Sequence, residues 1–257
     1  MGMKLLDSTF FVMKRLGWVA AENRMFRHGD KVLVALSGGH ASLSMLLALV
    51  HRQRKTPIDL EIIPYHVPDG VYGPPQEVEA VLREACGKMG LGLSIAEVPP
   101  ETPTAPAAAH FAPVPHRQVL LDAAARLGAC GIALGHTLED RALGVLLPAV
   151  TEGRLVSVPE MEEVDVSEGK AVETGLANPT PPSTLRILRL LSHVEPEAVL
   201  RMARDEGLPI LSRRVEGPLA ELRAVIEKYL GAKSGPRIEK LRNLATSPDR
   251  VRDEYMA

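Results

Sequence analysis

The chain has 257 residues, of which 46% are hydrophobic and 24% are charged, a composition typical of an ordinary globular protein. Its formal net charge of −2 gives no overall attraction to nucleic acid or to an anionic membrane, so RNA binding would require a local basic patch. The two cysteines, Cys86 and Cys130, exclude a disulfide framework and a four-thiolate metal site within one chain. With no signal-peptide pattern and no apolar run long enough to cross a bilayer, we expect a cytoplasmic protein without membrane contact.

Strands and helices alternate through the first 150 residues. A helical period over 3–22 is followed by the run "KVLVALS" (31–37), which is typical of a buried parallel strand. Further strands are predicted over 60–67, 93–98 and 130–136, and further helices over 41–54, 74–90, 117–128 and 138–150. This alternation predicts an α/β fold with a Rossmann-like, doubly wound parallel sheet flanked by helices.

The rest of the chain is less regular. The proline-rich stretch 99–116 is predicted to be a connector, and the acidic stretch 151–184 a mobile surface excursion. A strand or sheet-edge segment is expected over 185–192, with helices over 195–207, 216–231 and 236–247. We therefore predict an N-terminal helix (1–28), an α/β domain (29–215) and a helical C-terminal appendage (216–257).

One segment carries a specific chemical signal. In "KVLVALSGGHASLSMLLALV" (31–50), a strand leads through two glycines into a helix, which is the shape of an anion-binding turn. The "SGG" motif alone is a weak signal, because tight turns without a ligand use it too. The Gly-Lys-Ser/Thr ending of a Walker loop is missing.

A second motif makes the signal stronger. The segment "HGDKVLVALSGGHASLSMLLAL", followed about a hundred residues later by "LGACGIALGHTLEDRALGVLL", resembles the PP-loop ATP pyrophosphatases. It is most similar to the TtcA-type tRNA 2-thiocytidine synthetases, and the similarity continues through "LRILRLLSHVEPEAVLRMARDEGLPI". The resemblance implies a PP-loop fold and an enzyme that adenylates a base carbonyl oxygen, releases pyrophosphate and lets a sulfur nucleophile displace AMP.

The resemblance also implies a set of site residues. In the family, the loop Ser-Gly-Gly-Lys-Asp-Ser grips the β- and γ-phosphates of ATP, and a Gly-His-x-x-Asp-Asp signature follows; here Glu139 replaces its first acid. Arg189 matches the arginine of the family's Arg-Pro-Leu segment. The nucleotide-binding positions carried over are Ala35, Leu36, Ser37, Gly38, Gly39, His40, Ser42, Gly135 and His136, and the catalytic candidates are His40 and Asp140.

The chain departs from the family at the chemistry. His40 stands at the lysine position, and a histidine is mostly uncharged near neutral pH. Ala41 stands at the aspartate position and has no carboxylate for Mg²⁺, although ATP turnover depends on that metal. The expected ligand is therefore ATP or AMP, with Mg²⁺ as a candidate that Asp140 would contact.

The iron–sulfur ligands of the family are missing as well. Counting back from "IALGH", the first cysteine pair falls on Ala109 and Ala112, and counting on from "LPI", the second falls on Arg213 and Glu216. Because such clusters need thiolate ligands, we predict no iron–sulfur cluster and no metal site.

Other candidate residues have simpler interpretations. His110 and His116 without a third ligand are weak evidence for zinc, and Cys86 and Cys130 are typical of small core residues. His136 and Asp140 are expected on one helical face beside the nucleotide, or as ordinary capping residues. RNA contacts are expected at Arg189, Arg213 and Arg214, unless the basic C-terminal third is only a solvated surface.

Three functional hypotheses follow. The first is a degenerate TtcA-like ATP-binding protein with reduced or altered catalysis. The second is an active adenylating tRNA-modification ligase or sulfurtransferase without an iron–sulfur cluster. The third is a non-catalytic partner of an intact PP-loop paralogue. The candidate partners are a nucleotide, tRNA, such a paralogue and a second copy of this chain.

Overall fold

The computed structural model describes residues 6–97, 114–166, 184–212, 221, 224–225 and 234–248. Its strands are β1 (Asp30–Leu36), β2 (Leu60–His66), β3 (Ser94–Ile95), β4 (Gly131–Ala133), β5 (Met161–Asp165) and β6 (Thr184–Leu188). They form one sheet in the order β3-β2-β1-β4-β6-β5. Every neighbouring pair is parallel except β5–β6, so the predicted Rossmann-like α/β sheet is confirmed.

Helices cover both faces of this sheet. They are α1 (Asp7–Glu22), α2 (His40–Gln53), α3 (Pro75–Lys88), α4 (Val114–Leu127), α5 (Leu138–Thr151), α6 (Pro196–Asp205) and α7 (Ser234–Ala245). Proline in the first turn of α3 and of α6 suits a position whose N–H would have no partner within the helix. No helix among these is long and apolar enough to cross a bilayer.

The residues of β1 alternate between two apolar cores. Val32, Val34 and Leu36 face one core, which also takes side chains from α1, α2, α3 and α6. Leu33 faces the other core, together with side chains of β2, β4 and α4. The N-terminal helix α1 is therefore part of the main core, through residues such as Leu16. The C-terminal helix α7 packs on α5, where Leu241 and Ala245 meet Leu138 and Ala142.

The acidic stretch after α5 differs from its prediction. Residues 161–165 form β5, an antiparallel edge strand, where a surface excursion without regular structure was expected. Arg189 Nη2 donates to Glu162 Oε2 over 3.0 Å, and Arg141 Nη1 donates to Glu160 Oε1 over 2.6 Å. These buried guanidinium groups neutralise acids that the sequence had suggested were solvated.

Other differences concern strand position and length. β6 has strand neighbours on both sides and is an inner strand, whereas an edge was one of the two expectations for 185–192. β3 and β4 have two and three residues, much shorter than the predicted runs 93–98 and 130–136. Most of the predicted connector at 99–116 lies outside the described residues.

Candidate functional site

The candidate site lies where the strand order reverses. The chain leaves β1 to form β2 on one side of it, whereas β4 pairs with the other side of β1. In open α/β sheets, ligands bind at such a switch point, outside the carboxyl ends of the strands. The loops after β1 and β4 meet there: a Cβ on Gly135 would lie 2.8 Å from Ser42 Cα. Only glycine at 135 allows this approach.

The loop formed by residues 37–42, called the glycine loop below, is closed by its own hydrogen bonds. The Ser37 N–H donates to Ser42 Oγ over 3.3 Å, and the Gly39 N–H donates to Ser37 Oγ over 3.3 Å. Ser42 Oγ donates in turn to the Gly39 carbonyl over 2.9 Å. Gly38 has a φ of +96°, in the left-handed region that favours glycine. The two serines therefore fix the shape of the turn.

The helix that follows begins without a side-chain cap. Gly39 is the N-cap of α2 and provides no side-chain acceptor for the first N–H groups of the helix. Such groups carry the positive end of the helix dipole and bind anions readily. Ala35 and Leu36 are the last two residues of β1 and lead directly into this turn. A helix start without a side-chain cap therefore lies at the residues that the motif indicated, and anion binding there stays a prediction.

His40 is the first residue of α2 and is half-buried. Burial lowers its pKa, the nearby Asp140 carboxylate acts to raise it, and the Arg204 guanidinium acts to lower it. His40 is therefore mainly neutral near pH 7 and cannot provide the fixed positive charge of a lysine. The same interactions show that Asp140 and Arg204, from two other helices, lie near the start of α2.

The structure corrects the expected placement of His136. α5 begins at Leu138 with Thr137 as its N-cap, so His136 precedes the helix and does not share a helical face with Asp140. Asp140 belongs to a capping box: its Oδ2 accepts hydrogen bonds of 2.9 Å from both the N–H and the hydroxyl of Thr137. Asp140 is therefore a helix-capping residue, which was the second of the two interpretations of this motif. Its neighbour Glu139 is only 3% exposed.

Two residues that the sequence reasoning missed lie against the glycine loop. Tyr72 crosses the turn, since a Cβ on Gly39 would lie 2.5 Å from Tyr72 Oη. His66, the last residue of β2, is 1% exposed and its Nδ1 donates to the Leu36 carbonyl over 2.6 Å. Its Nε2 is buried without a hydrogen-bond partner in the described part of the chain. The signal for His66 was its position in "PYHV", at the carboxyl end of the strand beside β1.

The RNA-binding candidates are not brought together. Arg189 is 4% exposed and donates to the Pro159 carbonyl and to Glu162, so it anchors the edge strand and is not available at the surface. This placement overturns the expectation for Arg189. Arg213 and Arg214 lie outside the described residues, and their proposed contact with RNA stays a prediction.

The cysteines and histidines do not assemble a metal centre in the described segments. No group of three His, Cys, Asp or Glu side chains there could hold a metal ion. Cys86 is buried in the main core, and burial raises its pKa to about 11. Cys130 Sγ lies 3.0 Å from Arg186 Nη2 near the amino end of the sheet. His116 Nδ1 lies 4.0 Å from Asp69 Oδ2, while His110, Ala109, Ala112 and Glu216 are outside the described residues.

Known proteins are similar to this chain in sequence and in fold. No family model matches the chain. It is 26% identical over 249 residues to the tRNA-cytidine(32) 2-sulfurtransferase of Deinococcus radiodurans, covering 95% of this chain and 78% of that protein. It is 30% identical over 164 residues to the protein of that name in Pseudoalteromonas atlantica, covering 61% of this chain and 50% of that protein. The chain thus spans about half the length of that second relative.

A solved structure has the same architecture. The U34-tRNA thiolase NcsA from Methanococcus maripaludis, solved with its [4Fe-4S] cluster, superposes with a TM-score of 0.68 at 17% identity. The superposition covers 95% of this chain and 80% of that chain, and at this identity it shows a shared fold. With the glycine loop at the switch point and sequence similarity along nearly its whole length, the chain is similar to the TtcA-like proteins of the PP-loop superfamily.

Proposed function

We propose that the glycine loop binds the phosphates of ATP or AMP, in a protein whose adenylating chemistry is reduced or altered. The observation that carries this proposal is the uncapped start of α2 at the switch point, held in place by Ser37 and Ser42. The donors for phosphate are backbone groups, so they persist although the loop's lysine and aspartate are replaced.

Charge near the loop supports an anionic ligand. The dipole of α2 favours negative charge beside His40, while the Asp140 carboxylate and the Arg204 guanidinium act there with opposite signs. A bound phosphate would also raise the pKa of His40, because it stabilises the imidazolium form. His40 would then take over part of the role of the missing lysine when the ligand is bound.

Two features of the site disfavour the adenylation step. Ala41 has no carboxylate for Mg²⁺, and the Asp140 carboxylate already accepts two hydrogen bonds from Thr137. Removing one charged partner from such a site costs roughly 3–4 kcal/mol of transition-state stabilisation, or orders of magnitude in rate. We therefore infer slow or altered turnover, with nucleotide binding retained.

The residues of this chain do not fit an iron–sulfur cluster. The sequence contains two cysteines in all, and both have other structural positions: Cys86 in the core and Cys130 beside Arg186. Catalytic sulfur carriers need a depressed thiol pKa, whereas burial raises the pKa of both thiols. Any sulfur transfer to RNA would require a sulfur carrier on another molecule.

An active adenylating tRNA-modification enzyme is the second candidate. Its specific support is Asp140, whose carboxylate lies close enough to His40 to influence the pKa of that histidine. A metal ion bound there would compete with Thr137 for this carboxylate. The relatives' names make tRNA the candidate substrate. The third candidate, a nucleotide-free partner of an intact paralogue, requires that the glycine loop bind nothing.

Calorimetric titration with ATP, with and without Mg²⁺, tests the proposal. His40→Glu should weaken ATP binding by roughly tenfold or more, since it places a carboxylate among the phosphate donors. An acid at this position is favourable for the helix itself, so the variant should stay folded. His40→Gln, which has no charge, is the matched control: it should lose only the part of the affinity that a protonated His40 supplies, and should bind more tightly than His40→Glu.

Three outcomes distinguish the candidates. No measurable binding by the wild type would contradict both nucleotide hypotheses and favour the partner subunit. Binding that His40→Glu leaves unchanged would place the nucleotide elsewhere. Rapid Mg²⁺-dependent release of pyrophosphate would favour the active enzyme over the degenerate one.

A further inference from the structure

A cavity lies at the opposite end of the sheet from the glycine loop. It has a volume of about 240 Å³ and is bounded by the end of α1, the end of α2 and the start of β2. Its apolar walls come from Ala20, Ala21, Phe26, Leu49, Ile58 and Leu60. Pockets for drug-sized ligands usually have about 300–1,000 Å³, so this one suits a smaller molecule.

Two arginines give this cavity, called the arginine pocket below, its charge. Arg24 and Arg52 both line it, and none of the ion pairs among the described residues includes either guanidinium. The nearby Asp59 carboxylate accepts a hydrogen bond of 2.9 Å from Gln53 Nε2. The polar lining is therefore positively charged and lacks a counter-ion of its own.

Arg52 is held in place by packing. A Cβ on Gly17 would lie 2.0 Å from Arg52 Nη1, so the guanidinium lies against α1 in space that only glycine leaves open. Glycine within a helix costs about 1 kcal/mol relative to alanine, and here it makes room for a charged group. Burial lowers the pKa of Arg52, as expected for a cation removed from water without a compensating anion.

Arg24 has an unusual backbone. Its φ of 48° lies in the left-handed region, and it is a residue other than glycine there. Such a conformation costs about 1–3 kcal/mol and persists where the surrounding structure requires it. It places Arg24 on the rim, between the end of α1 and Phe26.

We propose that the arginine pocket binds a small amphipathic anion, with an apolar body against Leu49 and Phe26 and a carboxylate or phosphate against Arg52 and Arg24. A charged headgroup would supply hydrogen-bond acceptors to the partly buried Arg52 guanidinium, and the apolar walls disfavour ligands that are polar throughout. The site is separate from the glycine loop, and the proposed nucleotide function does not depend on it.

Titration of the full chain with octanoate, followed by calorimetry, tests this site. Octanoate should bind saturably with one site per chain, and octan-1-ol, which lacks the charge, should bind at least about tenfold more weakly. Arg52→Gln should weaken octanoate binding by roughly tenfold or more. Arg54→Gln is the matched control, because it removes an exposed cation from the same helix end outside the pocket lining.

A second variant tests the apolar walls. Ala21 is exposed on the pocket wall, so Ala21→Trp fills the space without disturbing the core and should abolish binding. An excess of ATP should leave the octanoate affinity unchanged. The proposal is overturned if the wild type shows no saturable binding, if Arg52→Gln and Arg54→Gln have equal effects, or if ATP displaces octanoate.

Discussion

The two loops of the candidate site differ in which features of the family motifs they retain. The glycine loop retains the serines and glycines that shape it, but its charged pair is replaced by His40 and Ala41. The loop after β4 retains Gly135, His136 and Asp140, yet Gly135 packs against α2 and Asp140 caps α5. A matched motif can therefore preserve the geometry of a turn in one place and the stability of a helix in another.

Substitution of Gly135, where the two loops meet, should have the largest effect on stability and on ATP binding. In Gly135→Ala, the new Cβ meets the backbone of Ser42, which cannot move without displacing the start of α2. We expect a loss of about 1–3 kcal/mol in the free energy of unfolding, measured by urea denaturation. ATP binding should weaken as well, because the glycine loop shifts.

Gly87→Ala is the control for that experiment. Gly87 lies within α3 and a Cβ there meets no other atom, so alanine should stabilise the protein by up to about 1 kcal/mol. If Gly135→Ala is as stable as the wild type, the two loops do not approach each other as described.

Restoring the lysine should sharpen the difference between the loops. His40→Lys supplies a charge that does not depend on pH, and we expect ATP affinity at pH 7.5 to rise by about tenfold. In the wild type, His40 has a lowered pKa and is neutral at that pH, so its ATP affinity should increase as the pH falls below 6.5.

In the free protein, the pH dependence of folding stability has the opposite sign to the pH dependence of ATP affinity. Because the pKa of His40 is lower in the folded state, the unfolded chain binds its proton first, and folding stability falls as the pH decreases below about 6.5. In His40→Lys, this contribution should vanish and the ATP affinity should hardly change between pH 5.5 and 7.5. Equal pH profiles for the two proteins would show that His40 does not contact the ligand.

Removing the cap of α5 should have the smallest of these effects. Thr137→Ala deletes the hydroxyl that bonds Asp140, and should cost about 1 kcal/mol in a denaturation experiment. If Asp140 acts only as a cap, Asp140→Asn should lower stability without changing the Mg²⁺ dependence of ATP binding. A lost Mg²⁺ dependence in Asp140→Asn would instead assign Asp140 to the metal.

The sequence predicted the site's architecture better than its surroundings. Strand β1 and helix α2 follow from hydrophobic pattern and glycine, which are local signals, and the TtcA-like resemblance is confirmed. Strand β5 was missed because Glu160 and Glu162 resemble surface residues until distant arginines neutralise them. For the same reason, Arg189 was assigned to RNA although it is buried against β5.

His66 and Tyr72 could not be found from local pattern either. Each is separated from the glycine loop by about thirty residues of chain, and only the parallel pairing of β1 with β2 brings His66 beside Leu36. Hydrophobic periodicity does not predict contacts between segments that are distant in the chain. In a parallel sheet, residues that join a ligand site are expected at the carboxyl ends of adjacent strands.

The antiparallel β5 also affects how the protein behaves in concentrated solution. Without β5, the row of unpaired backbone groups on β6 would be a template for strand addition by another molecule. β5 occupies that row and presents the exposed acids Glu163 and Asp165 along the new border, where like charges repel a second copy. Glu160, directly before β5, is paired with Arg141 and His193, and because the His193 hydrogen bond lowers the pKa of Glu160 to about 2, this anchoring of the edge strand should persist well into the acidic range.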